Sequence, residues 1–529
     1  MGPTLFTVLH AVGRRDAMTS AQDQVGAASP DRHDEPSAPD ISTVGSYAGS
    51  CGEREPEDVP AAVAQVMAAQ REAFEVGCTA SLVARRNALI ALRTAVLEET
   101  PAICRALHED LGKSADEARV TEISLVVSEI DHMLKHFVRW LNPQRLPLPL
   151  SLRPATARLW REPLGVCLVI APWNYPVQLA LAPLVAAIAG GNSAVLAPSE
   201  LAPATSRVLH RIVSSRLPTG FCRVIEGGAD VKKELLRHRF DHIFYTGGAR
   251  VGRIVARAAA EHLSPVTLEL GGKSPVYVGD DLRQTELEVA ARHIAWGKFT
   301  NAGQTCVAPD YVMASPAMLE RLVPALRCAI TAMYGENPAT SPDYGRIISA
   351  EHHRRLVGLL NPDRIVHGGQ HESTTRYLAP TVMAPVTWDD DVMADEIFGP
   401  ILPLVAVDGP AAAIHAIRSR DKPLTIYVFT RDKTARTLLT RHTSSGSVVM
   451  GMTLAHLAAP AVPFGGVGES GYGAYHGRTG LETFTHAKPV VVKPLLPDTL
   501  ALGRPPIRPA ARAALKALGV VRGRDTPLD

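Results

Sequence analysis

Two side chains able to make and break bonds stand in short glycine-bearing segments. Cys306 lies in N-A-G-Q-T-C-V-A-P-D (301–310), and Glu269 lies in L-E-L-G-G-K-S-P (268–275). A thiol is a strong nucleophile even when only a few per cent of it is ionised. With Asn301, Gly303, Gln304 and Thr305 before it and Pro309 after it, Cys306 can face a cleft. Its own backbone N–H can then point at a ligand, as an attacking thiol requires. A lone cysteine is also often a small buried apolar residue, and the loop alone fits both readings. Glu269 closes an apolar run and is followed by Gly271 and Gly272, so its carboxylate can sit beside open backbone. There it is either a general base or an ion-paired structural residue. A third segment, T-G-G-A-R-V-G (246–252), carries Gly247, Gly248 and Gly252 between an apolar run and a helical one. It resembles a phosphate cradle, in which the free N–H groups of a helix start favour an anion. Its spacing differs from G-x-G-x-x-G, so a tight strand-to-helix turn fits it equally.

These segments need a scaffold, and the surrounding pattern supplies one. Near-continuous apolar runs at 166–170, 193–196, 222–225, 242–245 and 266–270 read as strands. Helical lengths at 177–189, 203–215 and 251–262 separate them. Such alternation indicates a parallel sheet covered on both faces, which binds ligands beyond the carboxyl ends of its strands. The polar segments P-W-N-Y-P (172–176) and P-S-E (198–200) fall at those ends, with the glycine turn. Upstream, apolar residues recur at helical spacing from Val59 to Phe74 and from Leu82 to Val96. A third helix is expected over 117–141, with Val120, Ile123, Val127, Ile130, Leu134, Phe137 and Leu141 on one face. Residues 144–162, with prolines at 147, 149 and 154, read as an extended ribbon that needs a partner edge. Residues 489–493 read as a strand.

The chain has 529 residues, too many for one core, so two or three domains are expected. A net charge of +2 implies neither nucleic-acid binding nor a membrane-surface preference. The seven cysteines are scattered and include no C-x-x-C, which argues against a disulfide framework or a metal site and for a reducing, cytoplasmic setting. No apolar run is long enough to span a bilayer. Residues 1–57 lack apolar periodicity and are expected to be a disordered extension.

Taken together, the segments resemble the aldehyde dehydrogenase superfamily over roughly residues 60–495. The motifs are P-W-N-Y-P (172–176), F-Y-T-G-G (244–248), L-E-L-G-G-K-S-P (268–275), G-Q-T-C (303–306), E-I-F-G-P (396–400) and P-F-G-G-V-G-E-S-G (463–471). The wording is most similar to the class 3 branch, which includes fatty-aldehyde and coniferyl-aldehyde enzymes. The resemblance implies an α/β fold with a Rossmann-like cofactor domain (58–143 and 163–271) and an α/β catalytic domain (272–470). It also implies a small β oligomerisation ribbon (144–162 and 486–497) and a homodimer. Membrane-associated class 3 relatives carry an apolar C-terminal anchor, whereas the tail here (498–529) is basic and interrupted by prolines, so a short surface helix or disorder is expected. The resemblance implies that a small-molecule aldehyde is oxidised to the acid through a thiohemiacetal and a thioester on Cys306. Asn174 and the Cys306 N–H would hold the oxyanion, and Glu269 would activate the hydrolytic water. The coenzyme-side residues implied are Trp173, Glu200, Gly247, Gly248, Gly252, Glu396 and Phe398, and Phe464 matches a position near the substrate tunnel. Ala197 replaces a lysine that contacts the adenosine ribose, and Gly248 replaces a serine. Glu200 would repel a 2′-phosphate, so NAD is favoured, with NADP possible. The rival readings are a CoA-acylating or acyl-phosphate-forming reductase on the same fold, and an inactive homologue with a binding or structural role.

Overall fold

The computed structural model describes residues 59–520. The extension expected over 1–57 lies outside the described residues.

Five apolar runs become strands, three of them buried on both faces. Val166–Ile170, Ser193–Ala197 and His242–Thr246 contain no exposed position, as a parallel sheet covered by helices demands. The sheet order is Gly471–Tyr472, Val266–Glu269, His242–Thr246, Val166–Ile170, Ser193–Ala197, Cys222–Val224. All neighbours are parallel except the short Gly471–Tyr472, which pairs antiparallel with Val266–Glu269 and sets Gly471 opposite Glu269. That two-residue strand is too short to show periodicity in the sequence. The chain starts in the middle of the sheet at Val166–Ile170, builds outward to Cys222–Val224, then returns to His242–Thr246 on the other side. The crevice therefore opens beyond the carboxyl ends of Val166–Ile170 and His242–Thr246. Asn174 follows the first of these strands and Gly247 the second. Helix Gln178–Gly190 lies against this sheet with every residue from Leu179 onward buried, which explains why it lacks a polar face.

A second sheet has seven strands in the order Ile365–His367, Thr381–Val386, Ile401–Ala406, Tyr311–Ala314, Pro275–Val278, Thr425–Phe429, Ser447–Met450. Only the first pairing is antiparallel. The ribbon forms a third sheet. Gln144–Leu146 and Thr485–Val492 flank Thr156–Pro163, both antiparallel, so the strand read at 489–493 begins earlier and pairs with the ribbon of its own chain. Helix Pro509–Ala517 in the tail buries no residue.

The helix expected over 117–141 is broken into three pieces. Ala115–Ala118 is followed by a π-helical turn, Arg119–Ile123, and then by Ser124–Leu141. A π turn adds a residue per turn and rotates the face that follows. Val120 consequently lies 60% exposed instead of on the buried stripe, while Val126 and Met133 enter the core. The same rotation carries Glu122 into the interior, where it is fully buried.

Candidate active site

Helix Gln284–Phe299 delivers the chain to the thiol loop. Asn301, Ala302 and Gly303 then adopt φ of 54°, 50° and 75°, three left-handed residues in succession. A non-glycine residue held there costs on the order of 1–3 kcal/mol, so the surroundings must compensate. A Cβ on Gly303 would stand 2.2 Å from the carbonyl oxygen of Gly399, so only glycine fits. Gln304 is wholly buried; its Nε2 donates to the carbonyls of Asn301 (2.9 Å) and Arg346 (3.0 Å), and its Oε1 accepts the Ile348 N–H (2.9 Å). Asn301 Nδ2 donates to the carbonyls of Asn174 (2.8 Å) and Gln304 (3.1 Å). Asn174 Nδ2 donates to the Gln304 carbonyl at 3.1 Å, which brings this amide to the thiol loop. Tyr175 and Thr305 share a hydroxyl hydrogen bond of 2.7 Å, and the Tyr427 hydroxyl donates to the Val307 carbonyl at 2.7 Å. Cys306 is thus bracketed by residues that are individually tied down.

Below the loop lies a buried ion pair. Lys113 Nζ stands 2.6 Å from Glu122 Oε1, donates to the Asn174 carbonyl at 2.9 Å and sits 4.0 Å above the Tyr175 ring. Glu122 Oε2 accepts the N–H groups of Val177 (2.8 Å) and Gln178 (3.2 Å). Nothing in the sequence analysis singled out either residue. The only available clue was that Glu122 stands off the apolar stripe, and that position ordinarily means solvent.

The electrostatics around the thiol run against ionisation. Burial, then the carboxylates of Glu396 and Glu269, push the Cys306 thiol up to about 12, opposed by the N–H groups of Cys306 and Val307. Glu269 is buried with neither carboxyl oxygen hydrogen-bonded, and burial holds it well above the ordinary carboxylate range. Glu396 is pushed up to about 8 by burial and by Asp310, against the Gly272 N–H, Lys273 and Lys298. Its carboxyl lies against bare backbone, because a Cβ on Gly271 would stand 2.1 Å from its Oε2. Lys273 ties this corner together through Asp310 Oδ2 (2.5 Å) and the carbonyls of Val392 (3.0 Å) and Asp395 (2.8 Å).

The glycine turn divides its work. Gly248 caps helix Ala249–Glu261, and nothing lies within 4 Å of where its Cβ would be, so the helix start is open to a ligand. Gly247 leaves room for Tyr245, whose hydroxyl would lie 2.4 Å from an added Cβ. Gly252 is buried in the helix itself; a Cβ there would meet Leu270 Cδ2 at 2.8 Å, so this glycine lets helix and sheet approach closely. The rings of Trp173 and Phe398 meet edge-on at 5.4 Å, and Phe398 holds a φ of 49°. Phe464 pairs through its backbone with Tyr475, their rings 5.9 Å apart. Glu200 lies at the outer end of the crevice, ion-paired with Lys232.

An open helix cap and a thiol with an unpartnered carboxyl nearby suit an oxidoreductase that combines a nucleophile with a dinucleotide, and the fold defines that class. Residues 38–490 match the aldehyde dehydrogenase family, and the chain belongs to it. Its reaction is the NAD(P)-dependent oxidation of an aldehyde. The chain is 45% identical over 424 residues to rat aldehyde dehydrogenase family 3 member B1, covering 80% of this chain and 90% of that protein. It is 42% identical over 440 residues to the rat aldehyde dehydrogenase described as dimeric and NADP-preferring, covering 83% and 96%. The substrate-bound structure of Staphylococcus aureus AldH, 40% identical, matches with a TM-score of 0.84 over 86% of this chain and 99% of that one. The expected kinship with class 3 therefore holds. Among the described residues no helix is long and apolar enough to cross a membrane.

Proposed function

We propose that Cys306 is the nucleophile, Asn174 an oxyanion donor and Glu269 the base that activates water, and that the product is the free acid. An amide nitrogen has two N–H groups. Gln304 engages one of those on Asn174, which leaves the second for the oxygen of a thiohemiacetal, beside the N–H of Cys306. One such donor is worth on the order of 100- to 1,000-fold in rate. The bound nicotinamide supplies the hydride acceptor. Gly247 and the open Gly248 cap hold the pyrophosphate, Glu396 and Phe398 hold the nicotinamide side with Trp173 beside them, and Glu200 faces the adenosine ribose. Gly252 supports that site by seating the helix, and Phe464 lines the aldehyde approach.

The observation that carries this reading is the Glu269 carboxyl, buried and without a partner, whereas the other buried carboxyls among the described residues, Asp110, Glu122, Glu129 and Asp310, are hydrogen-bonded. A buried group of that kind is costly unless it has a task. That task counts against a CoA-acylating enzyme, which transfers the acyl group to a thiol and needs no water base. The test is steady-state oxidation of aliphatic and aromatic aldehydes with NAD and NADP, with and without CoA. Free acid and no stimulation by CoA are expected; a CoA thioester product would reverse the choice. The open edge and the exposed Trp160, Val491 and Val492 of the ribbon sheet favour a second copy as partner, hence a homodimer. Six free cysteines among the described residues favour a cytoplasmic setting.

A further inference from the structure

The outer end of the nucleotide crevice carries a charge arrangement that the carboxylate of Glu200 alone does not explain. Glu200 follows the strand Ser193–Ala197, and Ala197 at the end of that strand is buried and offers no polar group. The cation at this corner comes from a different element. Lys232, in helix Ala229–Leu235 beyond the next strand, ion-pairs with Glu200 and donates to the Gly227 carbonyl at 3.3 Å. Its side chain is only 18% exposed, whereas that of Glu200 is 43% exposed. The other acid here, Glu226, is engaged by His210 (2.6 Å) and Ser206 (3.3 Å). Lys233, next in sequence, points to solvent and pairs loosely with Asp230 at 3.6 Å.

At the adenosine end of a doubly wound sheet an acidic side chain reads the ribose 2′-hydroxyl, and a nearby cation accepts a 2′-phosphate. This corner has both, in contact. We propose that Lys232 is the coenzyme-selecting residue. With NAD it stays on Glu200, leaving a carboxylate oxygen for the ribose diol. With NADP its ammonium takes the 2′-phosphate and offsets the repulsion from Glu200, so the enzyme works with both coenzymes. The inference rests on the reading that this end of the crevice receives the adenosine ribose.

The test compares the full-length wild type with Lys232→Ala and, as control, Lys233→Ala. Calorimetric affinities for 2′,5′-ADP and 5′-AMP report the corner without any chemistry, and kcat/KM for NADP and NAD reports it in turnover. Loss of a charge-assisted contact weakens 2′,5′-ADP binding and NADP kcat/KM by roughly 10- to 100-fold in Lys232→Ala. Binding of 5′-AMP and NAD kcat/KM stay within about fivefold, the scale of a lost exposed ion pair. Equal losses for both nucleotides, or the same loss in Lys233→Ala, would overturn the proposal. So would a wild type that binds 5′-AMP but not 2′,5′-ADP, and that result leaves the role of Cys306 untouched. A wild type that binds both nucleotides normally yet oxidises no aldehyde would instead sink the catalytic reading.

Discussion

Replacing Glu269 with glutamine keeps the shape of the side chain and removes its ability to take a proton. The wild-type carboxyl is buried, has no hydrogen-bond partner and is held protonated well above the ordinary carboxylate range. It can act as a base only in the fraction that is ionised, so deacylation should quicken as pH rises, until the raised pKa is passed. Removing a general base costs roughly 100- to 10,000-fold. Steps before hydrolysis do not need it. Rapid mixing of Glu269→Gln with aldehyde and NAD should therefore give a burst of one reduced nicotinamide per subunit. A steady rate reduced by about that factor should follow, without the wild-type pH slope. Stability provides a second readout. Because the folded pKa lies above the unfolded value of 4.5, wild type binds the extra proton in the folded state, and its stability relative to the variant falls as pH rises above 4.5 until Glu269 ionises. A variant with full steady-state turnover, or one with no burst, would refute this reasoning.

Lys113→Met should destabilise the fold by about 3–5 kcal/mol in urea titration, because it strands the fully buried Glu122; adding Glu122→Met should recover part of that loss. Gly271→Ala forces a Cβ to within 2.1 Å of Glu396 Oε2, so the carboxyl must move. The KM for NAD should rise roughly 10- to 100-fold while the melting temperature stays near wild type. In coenzyme-free enzyme, iodoacetamide should label Cys306 slowly at neutral pH and about tenfold faster per pH unit, because burial and two carboxyls raise its pKa to about 12. The exposed Cys328 serves as the internal reference, and a fast, pH-independent reaction at Cys306 would contradict the raised thiol pKa.

Much of the scaffold was readable because buried parallel strands leave a strong signature. The five apolar runs from 166 to 270 became strands with ends within two residues of expectation. What escaped detection depends on geometry rather than composition. A π turn at Arg119–Ile123 has no marker residue, yet it decides that Glu122 points inward and Val120 outward. Lys113 and Glu122 are nine residues apart and look like surface charges; only the fold brings them under Asn174. The same holds for Lys232, whose partner Glu200 lies 32 positions away on another element. Gly252 was legible as a glycine of the turn, but its work, the approach of the helix to Leu270, shows only in three dimensions.

The most direct test of the central claim is the mass of the enzyme caught between hydride transfer and hydrolysis. Glu269→Gln mixed with an aldehyde and NAD, quenched in acid and digested, should carry the acyl mass on the peptide containing Cys306. Adding Cys306→Ala should abolish both the adduct and the burst. An acyl group on any other residue, or a burst without an adduct on Cys306, would contradict the account.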